Sequence, residues 1–289
     1  MSSPTAVFRQ GANALITGAA SGVGLAVAKL CASHSMNVIL VDNNTSKLDE
    51  AKSSLKDGKG SVESHSMDVA SISDWSNLKS EVEKGGRKLD FLHLNAGIGL
   101  NSDWTDNAYF HKIFDVNFFG VINGINTFYP HFTNNNSQQK AIIVTGSKQG
   151  ITNPPGNPAY NASKSAVKTI TEGLSFDLYK TSPKTSVHLL VPGWTFTGLT
   201  GGGGTKEKPA GAWTAEQVAE TLYEEMGEGQ FYIICPDNDV NWELDSKRML
   251  YGARELVDRK KQPVPPLSRW RDDWKDKAAE MIKNMKTDA

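Results

Sequence analysis

The run Leu15-Ile16-Thr17-Gly18-Ala19-Ala20-Ser21-Gly22-Val23-Gly24 joins an apolar, strand-like segment to an apolar helical segment reaching about His34. Glycines at such a junction permit a tight turn and let the backbone come close to a bound anion. The first amide groups of the new helix have no intrahelical partner, and the positive end of the helix dipole faces the same way. A pyrophosphate fits such a place. The turn therefore predicts a dinucleotide site in which Gly18, Ser21, Gly22, Val23 and Gly24 approach the phosphates.

Outward from this turn, apolar β-rich runs occur at Ala14 to Thr17, Asn37 to Val41, Ser61 to Met67, Leu89 to Leu94, Lys140 to Thr145, Ser186 to Val191 and Phe231 to Ile234. Helix-length segments separate them, and parallel strands need crossovers of that length. The alternation predicts an α/β fold of the Rossmann type, a doubly wound, seven-stranded parallel sheet with helices on both faces. Ligands of such sheets bind beyond the carboxyl ends of the strands, so the residues just after each run are the candidates for chemistry.

Asp42 closes the second strand eighteen positions after Gly24. A carboxylate there can accept both hydroxyls of an adenosine ribose and repels a 2′-phosphate. No Arg or Lys stands at Ser21, Asn43 or Asn44 to neutralise such a phosphate, so the expected cofactor is NAD (NADH), with NADP less favoured.

Ser147 follows the fifth run, and Tyr160 and Lys164 come next in Pro158-Ala159-Tyr160-Asn161-Ala162-Ser163-Lys164. Four residues on a helix make just over one turn, so the ammonium of Lys164 and the phenol of Tyr160 share a face. A phenol has a reference pKa of about 10, and each unit of lowering takes roughly 1.4 kcal/mol of phenolate stabilisation. Lys164 and an oxidised nicotinamide are two cations able to supply it, which would make Tyr160 a base near neutral pH.

Together, Thr17-Gly18-x-x-x-Gly22-x-Gly24, Asp68 after the third strand, Asn95-Ala96-Gly97 after the fourth, Asn117, Ser147, Tyr160-x-x-x-Lys164 and Pro192-Gly193 resemble the short-chain dehydrogenase/reductase family over roughly residues 10 to 235. The resemblance implies an NAD-dependent oxidoreductase interconverting a secondary alcohol and a ketone. It implies that Ser147 hydrogen-bonds the substrate oxygen, that Tyr160 transfers the proton, that Lys164 also holds the nicotinamide ribose, and that Asn117 holds a water of a proton relay. Asp68 and Val69 would touch the adenine, and Asn95, Ala96 and Gly97 would pack against the cofactor. Pro192, Gly193, Thr195 and Thr197 would lie near the nicotinamide carboxamide. Two positions depart from the family. A branched apolar residue is commoner where Thr195 stands, and a small or apolar one where Lys148 stands. Lys148 either points to solvent or places a cation at the substrate mouth. Two rival readings are an NADPH-dependent biosynthetic ketoreductase and a non-catalytic dinucleotide sensor; an intact Ser147, Tyr160 and Lys164 weigh against the second.

Charged residues make up 22% of the chain and nearly cancel, to a net charge of -1. No long-range field draws in nucleic acid or an anionic membrane, and a small-molecule alcohol or ketone is the expected partner. The start, Met-Ser-Ser-Pro-Thr, lacks a basic, apolar leader, and no stretch approaches the roughly 20 apolar residues that span a bilayer, so a cytoplasmic location is expected. Cys31 and Cys235 sit in apolar segments without metal-ligand spacing and read as buried, reduced thiols; the six histidines have no such spacing either, so no metal is expected.

Residues 1–235 read as the catalytic domain, with a substrate lid at about 195–213 that contains Gly201-Gly202-Gly203-Gly204. Loops are expected at Asn134 to Ser137 and Gln262 to Pro266. Trp194, Phe196 and Trp213 flank the lid as candidate substrate contacts, as an apolar or ring-bearing carbonyl compound would need. Residues 236–289 read as a helical extension: a helix from Asp239 to Lys260, a Pro263-Val264-Pro265-Pro266 hinge and a Trp270/Trp274 segment. The extension would cover the active site, lock onto another subunit or dock a partner. The family resemblance implies a homodimer or homotetramer through the helix carrying Tyr160 and the long one before it; the apolar Phe118, Phe119, Val121 and Ile122 fit that interface and fit equally a sheet-facing core of one subunit.

Overall fold

In the computed structural model, residues 3–56, 58–99, 102–133, 138–200, 207–237, 239–258 and 264–287 are described. The first strand, β1 (Asn13–Thr17), is apolar on both sides because both its faces are covered. Ala14 and Ile16 join one core cluster and Leu15 the other. The glycine turn leads into α1 (Gly22–Ser33), followed by β2 (Asn37–Asp42) and α2 (Thr45–Ser54). The side chain of Asn44 caps α2 by accepting from the N–H of Lys47. Next come β3 (Val62–Ser66), α3 (Ile72–Val82), β4 (Phe91–Leu94), α4 (Asn107–Phe114) and, after a π-helical turn at Asp115–Phe119, α5 (Gly120–Thr133). The chain continues as β5 (Lys140–Thr145), α6 (Gln149–Thr152), α7 (Pro158–Thr181), β6 (Thr185–Val191), α8 (Ala215–Gly227) and β7 (Tyr232–Ile234).

The strands form one seven-stranded sheet in the order β3-β2-β1-β4-β5-β6-β7, and each pairing is parallel. This is the doubly wound Rossmann-type architecture that the alternation predicts. The third and fourth strands are shorter than their apolar runs suggest, at Val62–Ser66 and Phe91–Leu94. β1 lies between β2 and β4, so the chain switches sides of the sheet there and opens a crevice at the ends of β1 and β4. One face is covered by α1, α2 and α8, through Ala26, Leu48 and Val218, and the other by α3, α5 and α7, through Trp75, Phe128 and Val167.

Beyond β7 the chain adds α9 (Trp242–Val257) and α10 (Lys275–Lys283). α9 begins later than the expected Asp239 because Asn241 caps it, accepting from the N–H of Leu244 at 3.0 Å, and the expected end at Lys260 lies outside the described residues. It packs beside α6, and Tyr251, Ala278, Ile282 and Met285 form a small core of its own with α10. The glycine run Gly201 to Gly204 and the loop residues Asn134 to Ser137, Gln262 and Pro263 lie outside the described residues. Both cysteines are free and buried, and burial raises both thiol pKa values, that of Cys235 to about 12. No helix among the described residues is long and apolar enough to cross a membrane.

Candidate active site

A cavity of about 930 Å³ runs along the carboxyl ends of the strands. At one end stands the glycine turn, with Gly18 and Gly22 at φ +65° and +54°. Gly24 sits behind it with no room for a side chain. A β-carbon there would lie 2.7 Å from Asn95 Nδ2 and 2.8 Å from the carbonyl carbon of Gly18. Asn95 in turn binds the strand below: its Nδ2 donates to the carbonyl of Thr17 at 3.1 Å, and its own N–H reaches Thr17 Oγ1 at 2.9 Å. The hydroxyl of Thr145, at the end of β5, donates to Asn95 Oδ1 at 3.1 Å. That proton's direction leaves Thr145 Oγ1 to accept from His93 Nε2 at 2.9 Å, which fixes the ring's tautomer. Burial pushes the His93 pKa down to about 3, so the ring is neutral. His93, which carries no motif signal in the sequence, thus links β4, β5 and the turn.

Asp42 ends β2 beside the same turn. Its Oδ2 accepts from the N–H of Ala20 at 3.1 Å and its Oδ1 from the N–H of Asn44 at 3.0 Å. A carboxylate has about four acceptor positions, so two remain for a pair of hydroxyls. Lys47, exposed in the first turn of α2, lines this end of the cavity as well. Lys47 stands beyond Ser21, Asn43 and Asn44, the positions whose side chains bear on a 2′-phosphate in the sequence.

The other end of the cavity carries Ser147, Tyr160 and Lys164. Pro158 opens α7, and Asn157 caps it by accepting from the N–H of Tyr160 at 3.3 Å, so Tyr160 stands in the first turn and Lys164 in the next. The Ser147 hydroxyl stands beside the Tyr160 phenol, and both line the cavity. Loss of water around the phenol pushes its pKa up, and the neighbouring Ser147 hydroxyl pulls it down. The Nζ of Lys164 donates to the carbonyl of Thr145 at 2.8 Å and lies 5.9 Å from the centre of the Tyr160 ring. Burial lowers the pKa of its ammonium to about 8.

Most expected residues border the cavity: Gly18, Ser21, Gly22, Val23, Asp42, Asn95, Ala96, Gly97, Pro192, Gly193, Trp194, Thr195 and Thr197 join the Ser147, Tyr160 and Lys164 group. Six do not line it. Gly24 is the buried support just described. Asp68 folds its carboxylate onto the N–H of Ala70 at 2.9 Å, and Val69 belongs to the core. Asn117 stands in the π-helical turn as a brace, its Oδ1 accepting from the N–H of Ile98 at 2.8 Å and its Nδ2 donating to Ile98 O and Ser163 Oγ. Trp213 pairs its backbone with the Trp194–Phe196 segment through a parallel bridge at Thr195, and its ring packs on the core rather than on the cavity. Phe196 donates its N–H to the carbonyl of Trp213 at 2.8 Å and likewise stays outside the lining.

Lys148 borders the cavity but is neither solvent-directed nor a free cation. Its Nζ lies 2.5 Å from Asp245 Oδ2 and 3.4 Å from Asp237 Oδ2, with 14% of the side chain exposed. Asp237, three residues beyond β7, is a lining residue the sequence reading missed, although it follows a strand end. Among the interface candidates, Val121 is buried in the core, whereas Phe119 is 48% exposed. Among the described residues, no group of three or more His, Cys, Asp or Glu side chains is placed to hold a metal ion.

Residues 12–208 match the family model for short chain dehydrogenases. An uncharacterized oxidoreductase from Staphylococcus saprophyticus is 32% identical over 191 residues, which cover 65% of this chain and 80% of that protein. The fold is similar to that of a short chain dehydrogenase/reductase from Burkholderia phymatum solved in complex with NAD, with a TM-score of 0.77, 26% identity, and coverage of 90% of this chain and 98% of that one. It is also similar in fold to a putative short-chain dehydrogenase from Novosphingobium aromaticivorans, with a TM-score of 0.73, 22% identity, and coverage of 94% and 98% respectively.

Proposed function

The chain belongs to the short chain dehydrogenase family of oxidoreductases, and on that premise we propose that its cavity takes NAD(H) and interconverts a secondary alcohol and a ketone, with Tyr160 as the proton-transfer residue. The observation that carries this reading is the convergence of Ser147, Tyr160 and the buried Lys164 in the same cavity as the glycine turn and Asp42. The turn offers the close backbone approach a pyrophosphate needs, because its glycines at 18 and 22 adopt a left-handed conformation and Gly24 leaves no space for a side chain.

A bound nicotinamide supplies hydride chemistry and, when oxidised, a positive charge near the phenol. Ser147 Oγ orients the substrate oxygen by a hydrogen bond. As a phenolate Tyr160 takes the proton from an alcohol, and as a phenol it returns that proton to the oxygen of a ketone. Lys164, anchored on the Thr145 carbonyl, holds a cation on the same helix face and has donors free for ribose hydroxyls. Asp68 and Val69 as adenine contacts, and Thr195 and Thr197 as carboxamide contacts, belong to the same proposal. So does Asn117 as part of a proton relay, through the Oδ1 lone pair that Ile98 leaves open.

Asp42 supports NAD over NADP, since its carboxylate would face a 2′-phosphate. Lys47 favours the second reading, an NADPH-dependent reductase, because an ammonium lies at the same end. The two are separated by comparing kcat/KM for NAD and NADP, followed at 340 nm with a panel of aromatic, alicyclic and sugar-like secondary alcohols. A native preference for NADP would overturn the NAD assignment, whereas Asp42→Ala shifting the ratio towards NADP by about tenfold supports it. NADH binding without turnover across the panel would favour a dinucleotide sensor. A homo-oligomer through α5 and α7 completes the proposal, supported by the exposure of Phe119, Phe176 and Tyr179. Sedimentation of a single subunit at micromolar concentration would refute it.

A further inference from the structure

Asp237 turns its carboxylate against Pro192-Gly193-Trp194, the turn that follows β6. Its Oδ1 accepts from the N–H of Trp194 at 2.7 Å. A β-carbon on Gly193 would stand 2.8 Å from Asp237 Oδ2 and nearer still to Oδ1, so the carboxylate fills the space that any larger residue at 193 would need. The same Oδ2 lies 3.4 Å from Lys148 Nζ, and Lys148 directly follows Ser147. On its far side Lys148 meets Asp245, a buried acid in the first turn of α9. The alignment there is an ion pair rather than a well-directed hydrogen bond. Arg248 and Arg269 add positive charge around Asp245.

The segment that Asp237 holds runs on across the cavity. Thr197 Cγ2 lies 3.1 Å from where a β-carbon on Gly22 would stand, and Leu199 and Tyr160 both lie against Gly99. A single carboxylate placed after β7 therefore sets the position of the backbone that spans from the glycine turn to the phenol.

We propose that Asp237 is a positioning residue for the nicotinamide end of the cavity, and that the Lys148–Asp245 pair couples the C-terminal extension to it. The inference rests on the reading that the cavity takes a dinucleotide with its adenosine half beside Asp42. A charge-assisted hydrogen bond lost at one end of a ligand site weakens only the part of the ligand held there.

The test is equilibrium titration of the full chain with NADH and, separately, with ADP-ribose, which lacks the nicotinamide ring. Asp237→Ala weakens NADH by about tenfold and leaves ADP-ribose within about twofold. Asp237→Asn, which keeps an acceptor for the Trp194 N–H, recovers most of the loss, and it carries the test if the alanine variant does not fold. Lys148→Met and Asp245→Asn each weaken NADH by about threefold, and the double variant does no more than either single one. Equal losses for NADH and ADP-ribose, or unchanged NADH binding in Asp237→Ala, would overturn the positioning role. Failure of the unaltered protein to bind either ligand would instead overturn the dinucleotide reading, and this inference with it.

Discussion

At the Asp42 end of the cavity, position is set by main chain and by glycines: Gly24 lies against the Gly18 carbonyl, and Asn95 bonds both β1 and the turn. At the Trp194 end it is set by charged side chains from distant parts of the sequence, with Asp237 and Asp245 converging on Lys148. The first arrangement is stiff because a backbone clash admits no alternative rotamer. The second can be retuned by a single side chain, which suits the half of a site that must match a particular substrate.

The sharpest separation of the two ends comes from Tyr160→Phe. Its turnover is expected to fall by about 10³-fold, within the range for loss of general acid–base catalysis, while the NADH dissociation constant stays within about twofold. Parallel loss of binding and turnover would show that the ends are not independent. Gly24→Ala attacks the stiff end: the new methyl meets the Gly18 carbonyl, and NADH and ADP-ribose affinities are expected to fall together by about 10²-fold or more. Selective loss of NADH alone would break the comparison.

A pH measurement probes the boundary between the two regions. Lys164 has its pKa lowered from 10.5 to about 8 by burial, so the folded state binds fewer protons than the unfolded one between these values. Its burial penalty is fully present below about 8 and is relieved as pH rises to 10.5. Chemical denaturation should therefore show the unaltered protein gaining stability relative to Lys164→Met across that window, by up to ~3 kcal/mol. A flat difference would mean that Lys164 keeps its ordinary proton affinity. The smallest effect is expected from Trp213→Leu, which should cost about 1–2 kcal/mol of stability and leave substrate KM within about twofold, because the ring packs on the core. A large KM change at unchanged stability would return Trp213 to the substrate pocket.

The stiff end was readable from the amino-acid sequence because its requirements are local. A glycine that must leave space and an acid ending a strand are constraints of backbone and spacing, and at the other end so is the single helical turn between Tyr160 and Lys164. The remainder depended on which strands lie side by side. His93 reaches Thr145 only because β4 and β5 are neighbours, and Lys148 meets Asp237 because β6 and β7 follow β5 in the sheet. Lys47 enters the cavity from an exposed helix face that reads as solvated surface. Trp213 misled in the opposite direction. An aromatic beside a glycine run resembles a pocket wall, yet the bridge to Thr195 leaves its ring on the core. Spacing placed Lys164 correctly but could not show that the Thr145 carbonyl takes its ammonium.

The all-parallel sheet has a kinetic corollary. Each strand pairing closes over a crossover segment, so loop-closure entropy is spent before the contacts that repay it, and folding of such topologies is slow. The clasp around Lys148 joins α6 to segments that come after β7, the last strand added. In refolding from denaturant, the circular-dichroism signal of the sheet should therefore return before the fluorescence change on NADH binding. Simultaneous recovery of the two signals would show that the clasp and the sheet assemble as one unit.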